Sequence, residues 1–302
     1  MDHHIRYLEG LVNKGGPSVE DFYDLDAWIA EIAEQSRSGS LSSADLTRLR
    51  EVLGEAISVE TMQGLVFHKP HGYAGDYEII DRIYTRYISD KTHLSMWDVY
   101  MHYQTTVHAV RNRVEYMRQQ LNKKINASYV GRVEVLNLAS GPGRDMLKFF
   151  EVNPGAQVHF DCIDKDQKAV DYAKELCSDF LHKITFHVKN ALRLKSNKKY
   201  DLIWSAGLLD CLSDKVCIHV LKNLGKMVAD GGEIVMGNFS VLNPSRAYME
   251  LLEWNLHHRS PHKLMRFAVA AGFSAEQIRI EKEPTGVNLF LHIKQKEACT
   301  AV

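Results

Sequence analysis

The stretch Val133-Glu-Val-Leu-Asn-Leu-Ala-Ser-Gly-Pro-Gly-Arg-Asp145 constrains this chain more than any other. Apolar residues at Val133, Val135 and on both sides of Asn137 read as a buried strand. The strand runs into Gly141-Pro142-Gly143, after which Met146, Leu147, Phe149 and Phe150 repeat at helical spacing. A strand that ends in a glycine turn at a helix N-terminus lets backbone N–H groups come close to a ligand. A second apolar run, Val158 to Ile163, ends in Asp164, about twenty residues past the loop, where a carboxylate can take both hydroxyls of a ribose. The pattern predicts a cradle for a nucleoside-bearing cofactor.

The remainder of the chain falls into two parts, 1–128 and 129–302. The first is predicted to be a helical lid. Phe22, Leu25, Trp28, Ile29 and Ile32 share one helix face, and Ser42 or Ser43 is placed to cap the next helix, which carries Leu46, Leu49, Val52 and Leu53. Gly64, Pro70, Gly72 and Gly75 punctuate the chain before an aromatic helical stretch from Tyr77 to Tyr87. Another helix is expected from about Trp97 to Leu121, with Asn122 to Ser128 as a polar connection. From Val130 strands and helices alternate. Strands are predicted at 132–138, 157–163, 184–188, 201–205, 232–238, 277–281 and 287–293, with helices at about 143–152, 166–181, 213–229, 245–256 and 261–271. This alternation predicts an α/β fold with a mostly parallel sheet covered on both faces. Gly231-Gly232 reads as a turn before the fifth strand, and Glu283-Pro-Thr-Gly286 is short enough to join the last two strands as an antiparallel hairpin.

Composition excludes several classes. A formal net charge of −1 over 302 residues gives no basic excess to neutralise phosphates, so no nucleic-acid partner is expected. No apolar run approaches the roughly 20 residues of a membrane span. The start, Met1-Asp-His-His-Ile-Arg, lacks the basic-then-apolar pattern of a secretion signal. Cys162, Cys177, Cys211, Cys217 and Cys299 are odd in number and lack metal-type spacing, which suits reduced thiols in the cytoplasm. The adjacent His257 and His258 would point in different directions on a helix, so no metal site is expected.

A dinucleotide fingerprint carries a third glycine three residues after the second, and here that position is Met146. The surrounding order points elsewhere. Asp164 ends the second strand, Asn190-Ala191 follows the third with an amide that can meet an adenine edge, and Ser205-Ala206-Gly207 follows the fourth with room for a ligand. With these residues in place, 130–295 resembles a class I S-adenosylmethionine (SAM) methyltransferase domain, a Rossmann-like sheet with an antiparallel C-terminal hairpin. The resemblance implies SAM contacts from Asn137, Ala139, Ser140, Gly141, Gly143 and Asp145 in the first motif. It also implies contacts from Asp164 with Lys165, from Asn190 with Ala191, and from Ser205, Ala206 and Gly207. Asn137 and Ser140 depart from the family pattern, which usually has an acid and a third glycine there. Pro70-His-Gly-Tyr-Ala-Gly-Asp-Tyr77, Ser205-Ala-Gly-Leu-Leu-Asp210 and Trp254-Asn-Leu-His-His-Arg259 are similar to bacterial enzymes of 3-hydroxypalmitic acid methyl ester (extracellular factor) biosynthesis. They are also similar to azetidine-2-carboxylate synthases, which keep the fold but cyclise SAM and release methylthioadenosine.

The residues suggest where chemistry sits. His71 to Tyr77 is a candidate lid, with Tyr73 and Tyr77 offering ring faces and hydroxyls to a sulfonium; the competing reading is a tight turn packed on a core. Ser205 and Asp210 follow the fourth strand at the edge where open α/β sheets bind ligands, and Asp210 could position an amine or act as base. Asn238 ends the fifth strand beside the same crevice. His257 could serve as base and Arg259 could bind a carboxylate, against the competing reading of charges at a helix C-terminus. The expected activity is methyl transfer from SAM to a small molecule, such as a carboxylic acid. The alternatives are SAM cyclisation, with no partner beyond SAM itself, and non-catalytic SAM binding by a regulator. A homodimer is compatible with this reading.

Overall fold

A computed structural model describes residues 1–127 and 131–296. Cys299 lies outside them. Twelve α-helices and seven strands occur among the described residues. In chain order the helices are α1 (Asp2–Asn13), α2 (Phe22–Arg37), α3 (Ser43–Leu53), α4 (Met62–His68), α5 (Tyr77–Thr85), α6 (Thr92–Tyr103), α7 (Thr105–Ala127), α8 (Arg144–Val152), α9 (Gln167–Leu176), α10 (Asp214–Leu224), α11 (Arg246–Leu251) and α12 (Pro261–Ala270). The strands are β1 (Val133–Leu138), β2 (Val158–Asp164), β3 (Ile184–Val188), β4 (Tyr200–Ser205), β5 (Val228–Phe239), β6 (Ile278–Lys282) and β7 (Asn288–Lys294).

The chain forms two compact units: Met1–His108 with Pro244–Asn255, and Ala109–Asn243 with Leu256–Val302. Neither boundary coincides with residue 128. Most of α7 belongs with the sheet, and a segment after β5 belongs with the helices.

The helical unit follows the periodicity of its sequence. Leu25, Trp28, Ile29 and Ile32 of α2 are buried together, and Ser42 caps α3 in a reciprocal box with Asp45. Aspartates fix the turns between helices. The buried Asp98 accepts from the backbone N–H groups of Met62 (2.7 Å) and Ser89 (2.8 Å), and Asp76 caps α5 through those of Glu78 and Ile79. The aromatic stretch does not reach Tyr87 as one helix. It stops at Thr85, where Arg86 adopts a left-handed conformation. The helix expected from Trp97 to Leu121 breaks at Gln104, and its second part continues to Ala127, through residues read as a connection. Lys123, Lys124 and Ala127 have good helix propensity, and Leu121 is fully buried.

The sheet unit has strand order β3-β2-β1-β4-β5-β7-β6. The first five are parallel, and β7 runs antiparallel to both β5 and β6. The last strand in sequence therefore lies inside the sheet and β6 forms the edge. Both faces are covered, which explains the continuous apolar runs. Leu136, Leu138, Ile203 and Met236 pack with Val220 and Leu221 of α10 and Leu264 and Phe267 of α12. On the other face Val135, Phe160 and Trp204 pack with Tyr116 and Met117 of α7 and Phe149 and Phe150 of α8.

Two local readings change. Gly231-Gly232 is not a turn before β5; it lies within that strand, where the pairing with β4 shifts between Tyr200 and Leu202. A Cβ at Gly232 would stand 2.8 Å from the carbonyl oxygen of Ala229 and 2.9 Å from that of Tyr200. The helix expected over 166–181 ends at Leu176, and a 3-10 turn from Ser178 to Lys183 leads into β3. The hairpin turn depends on Glu283. Its buried carboxylate accepts from the backbone N–H groups of Thr285, Val287 and Asn288 and from the Nδ2 of Asn112. Burial acts to raise its pKa, yet these hydrogen bonds hold it below the usual range.

Candidate cofactor and substrate site

The strand order reverses at β1, so loops leaving β1 and β4 diverge and open a crevice at the C-terminal ends of the strands. The loop after β1 is tightly folded. Ala139 (φ 51°), Gly141 (φ 55°) and Gly143 (φ 74°) are all left-handed. Holding alanine there costs roughly 1–3 kcal/mol, so neighbouring contacts have to impose it. Those contacts are visible: the Gly141 N–H donates to Asp164 Oδ2 at 3.0 Å, and the Ser140 N–H to the Ile163 carbonyl at 3.3 Å. Gly143 caps α8, and a Cβ on it would meet Ala173 Cβ at 3.1 Å and Met146 Cε at 3.3 Å. A Cβ on Gly141 would meet nothing within 4 Å, so the backbone there leaves open space beside its Cα.

The loop fits a polar ligand on the evidence of its own side chains. Asn137 Nδ2 and Ser140 Oγ are buried and make no hydrogen bond among the described residues. Two such groups left unanswered would cost about 1–3 kcal/mol each, and a ligand at the loop can answer both. Asp164 is buried at the end of β2, and its two oxygens accept from the N–H groups of Gly141 and Asp166. Each oxygen keeps a second lone pair for a ribose hydroxyl. Asp145 lies in the first turn of α8 beneath the loop, where burial raises its carboxyl to about 6.

The other expected cofactor residues are less committed. Lys165 is exposed beside Asp164. Asn190 uses its Oδ1 to cap the short turn Ala191–Arg193, accepting from the Leu192 N–H at 2.9 Å, so a base would be met by its amide side. Ala206 and Gly207 are half-buried after β4.

The residues expected to act on substrate separate into three groups. Tyr73 and Tyr77 lie in the helical unit. Tyr77 opens α5, with its ring 4.5 Å from that of His71, and the His71 Nε2 meets Glu78 Oε2 at 3.0 Å. Gly75 lies so close to Trp254 that a Cβ would stand 3.3 Å from the indole nitrogen. One cavity of that unit is lined by Leu25, Trp28, Gln63, Trp97, Tyr100 and Tyr248.

Ser205 and Arg259 are engaged in structure. The fully buried Ser205 hydroxyl donates to the Leu138 carbonyl at 2.7 Å, tying the end of β4 to that of β1. Arg259 is only 1% exposed. Its Nη1 donates to Leu209 O and Asn238 Oδ1, its Nη2 to Leu212 O and Asp214 Oδ1, and its Nε to Asp214 Oδ1. A guanidinium has five N–H groups, so none remains for a substrate carboxylate. The sequence reading of Arg259 as a carboxylate binder is corrected on that ground. Asn238 is held in the same knot, donating to the carbonyls of Phe239 and His257, and His257 is exposed.

Asp210 is the reactive-looking member. It sits on the turn Leu209–Cys211 just past β4, 2% exposed. Its Oδ1 accepts from the Phe239 N–H at 2.7 Å, and its Oδ2 lies 3.5 Å from Arg113 Nη2. Burial pushes its carboxyl up to about 7, against the pull of Arg113 and Arg259. Sequence reasoning missed Arg113. It occupies a helical stripe of α7 between the core residues Val110 and Met117, and only its partners single it out.

A family model described as "Methyltransferase domain" matches residues 131–282. The chain belongs to the methyltransferase domain family. No curated protein matches it significantly. Solved structures share the fold of this methyltransferase. A structure from Bordetella parapertussis, described as that of a protein of suspected export, is 18% identical, with a TM-score of 0.65, covering 90% of this chain and 96% of its own. A structure from Nostoc punctiforme, assigned provisionally as an O-methyltransferase, is 14% identical (TM-score 0.53), covering 81% of this chain and 70% of its own. Magnesium protoporphyrin IX methyltransferase from Synechocystis, with S-adenosylhomocysteine bound, is 12% identical (TM-score 0.50), covering 63% of this chain and 87% of its own. These identities speak for the fold alone. Among the described residues of this methyltransferase no helix is long and apolar enough to cross a membrane.

Proposed function

We propose that the protein transfers a methyl group from SAM to a small molecule carrying a carboxylic acid. The observation that carries the cofactor assignment is the loop after β1, where Asp164 holds the Gly141 N–H and two buried polar atoms, Asn137 Nδ2 and Ser140 Oγ, await a partner. When bound, SAM supplies an electrophilic methyl on a sulfonium, so no activation of the donor is required.

The chain's own residues then bind and orient. Asp164 would hold the ribose, Gly141 and Ser140 would face the amino-acid part, and the amide of Asn190 would meet the base. A carboxylate acceptor is ionised at neutral pH and needs no general base, so the protein's task is alignment and exclusion of water. Asp210 can hold a proton at Oδ2 near neutral pH because burial disfavours its charged form. Tyr73 and Tyr77 serve in this reading as the lid. The similarity to 3-hydroxypalmitic acid methyl ester enzymes makes 3-hydroxy fatty acids the first acceptors to try. The reading places the protein in the cytoplasm of a bacterium, in secondary metabolism, as a monomer or homodimer without nucleic-acid or membrane partners.

The test is incubation with SAM, alone and with a panel of 3-hydroxy acids, followed by mass spectrometry. S-adenosylhomocysteine together with a methyl ester, formed only when an acid is added, is the expected result. Methylthioadenosine and azetidine-2-carboxylate from SAM alone would replace transfer by cyclisation. Tight SAM binding with neither product would leave a regulator.

A further inference from the structure

Arg113 is a buried cation without an adequate partner. It is 6% exposed on α7. Its Nε donates to Asn288 Oδ1 at 2.8 Å, and Asn288 is fixed in turn because its Nδ2 donates to the Leu289 carbonyl at 3.1 Å. The guanidinium lies over the Phe239 ring, 4.7 Å from its centroid, which sets the plane of the fork. Its only ion pair among the described residues, Nη2 to Asp210 Oδ2, is 3.5 Å long, well beyond the 2.7–2.9 Å of a strong charge-assisted bond. Nη1 makes no hydrogen bond among the described residues. It faces Gly207, where a Cβ would stand 3.2 Å away. The fork is thus oriented by Asn288 and Phe239, and Nη1 and the second N–H of Nη2 are left for something else.

We propose that Arg113 is the carboxylate receptor of the site, taking a carboxylate on Nη1 and Nη2 at the Gly207 turn. The proposal rests on the reading of the β1 loop as a SAM cradle, since the turn after β4 borders the same crevice. A planar, singly charged group matches the fork, whereas a dianion would meet Asp210 at close range. Burial that favours protonated Asp210 leaves the charge of Arg113 incompletely compensated, as an anion subsite requires. Two molecules bring a carboxylate here: the amino-acid end of SAM, or the acceptor.

Calorimetric titration separates them. S-adenosylhomocysteine, methylthioadenosine (which lacks the amino-acid carboxylate) and 3-hydroxyoctanoate added to protein preloaded with S-adenosylhomocysteine are compared between wild type and Arg113→Gln. If the carboxylate is the cosubstrate's, S-adenosylhomocysteine weakens at least tenfold while methylthioadenosine is unchanged. If it is the acceptor's, both nucleosides bind as before and 3-hydroxyoctanoate weakens at least tenfold. All three ligands binding within threefold of wild type, or all weakening alike, overturns the proposal. Failure of both nucleosides to bind the wild type overturns the SAM reading and this proposal with it, whereas binding of both nucleosides with no change for any of the three ligands in the variant overturns this proposal alone. Arg113→Lys keeps the charge without the fork and serves if the glutamine variant unfolds; partial recovery of the lost affinity is expected.

Discussion

Arg113 and Arg259 are the same residue, both buried in the sheet unit and both near Asp210, yet they are opposites. Arg259 satisfies every N–H with two carbonyls, an amide oxygen and a carboxylate, and so joins the turn after β4 to the end of β5 and the start of α10. Arg113 has one good hydrogen bond and one long ion pair. Burial alone does not separate a structural cation from a receptive one. The count of unfilled donors does.

The largest expected effect breaks that contrast at its structural end. Arg259→Leu should lower stability by about 3–5 kcal/mol, because it leaves the buried Asn238 oxygen and the Leu209 and Leu212 carbonyls without the donor that met them, at about 1–3 kcal/mol each. Arg113→Gln, losing one good bond, should cost about 1 kcal/mol. Chemical denaturation of both variants checks this, and equal losses would erase the distinction.

Asp210 gives a second handle through pH. Its folded-state pKa of about 7 lies above the 3.8 of an unperturbed aspartate, so the folded protein binds an extra proton between those values. Its contribution to stability is therefore full below about pH 4 and is lost as pH rises through 7, a few kcal/mol in total at roughly 1.4 kcal/mol per unit. Asp210→Asn should remove this component. Stability measured from pH 5 to 8 should fall less steeply in the variant than in the wild type, and parallel curves would show that Asp210 does not titrate in this range.

The smallest change sharpens the receptive end. A Cβ at Gly207 would press on Arg113 Nη1 at 3.2 Å and approach Asp210 Oδ2 at 3.7 Å. Gly207→Ala should alter stability by about 1 kcal/mol or less, since the added Cβ meets only the ends of the Arg113 and Asp210 side chains. It should also weaken by severalfold whichever carboxylate ligand Arg113→Gln weakens. Unchanged binding would place the carboxylate away from this turn.

Much of the fold was legible because burial on both faces writes each strand as an apolar run and each helix as a periodic stripe. β1, β2, β3 and β7 fall within one or two residues of their expected bounds. The misreadings share a cause. The break at Gln104, the helix through Asn122 to Ala127 and the bulge at Gly232 are decided by what packs against the backbone, which residue type does not encode. The turns after β1, β2 and β3 were legible for a local reason, since the glycines, Asp164 and Asn190 belong to short segments with their own turn chemistry. The cluster around Arg113 was not, because its members come from α7, the turn after β4 and the C-terminal hairpin.

The sequence by itself determined that a strand would run through a glycine turn into the N-terminus of a helix, because glycine and chain direction suffice for that. Only the tertiary structure decided which buried charges are available. Arg259 looked like a ligand residue beside a plausible motif, and Arg113 looked like one more polar position on a helix. Hydrogen bonds between residues distant in the chain filled the first and left the second open. Those bonds depend on three-dimensional geometry, which no local pattern of residues records.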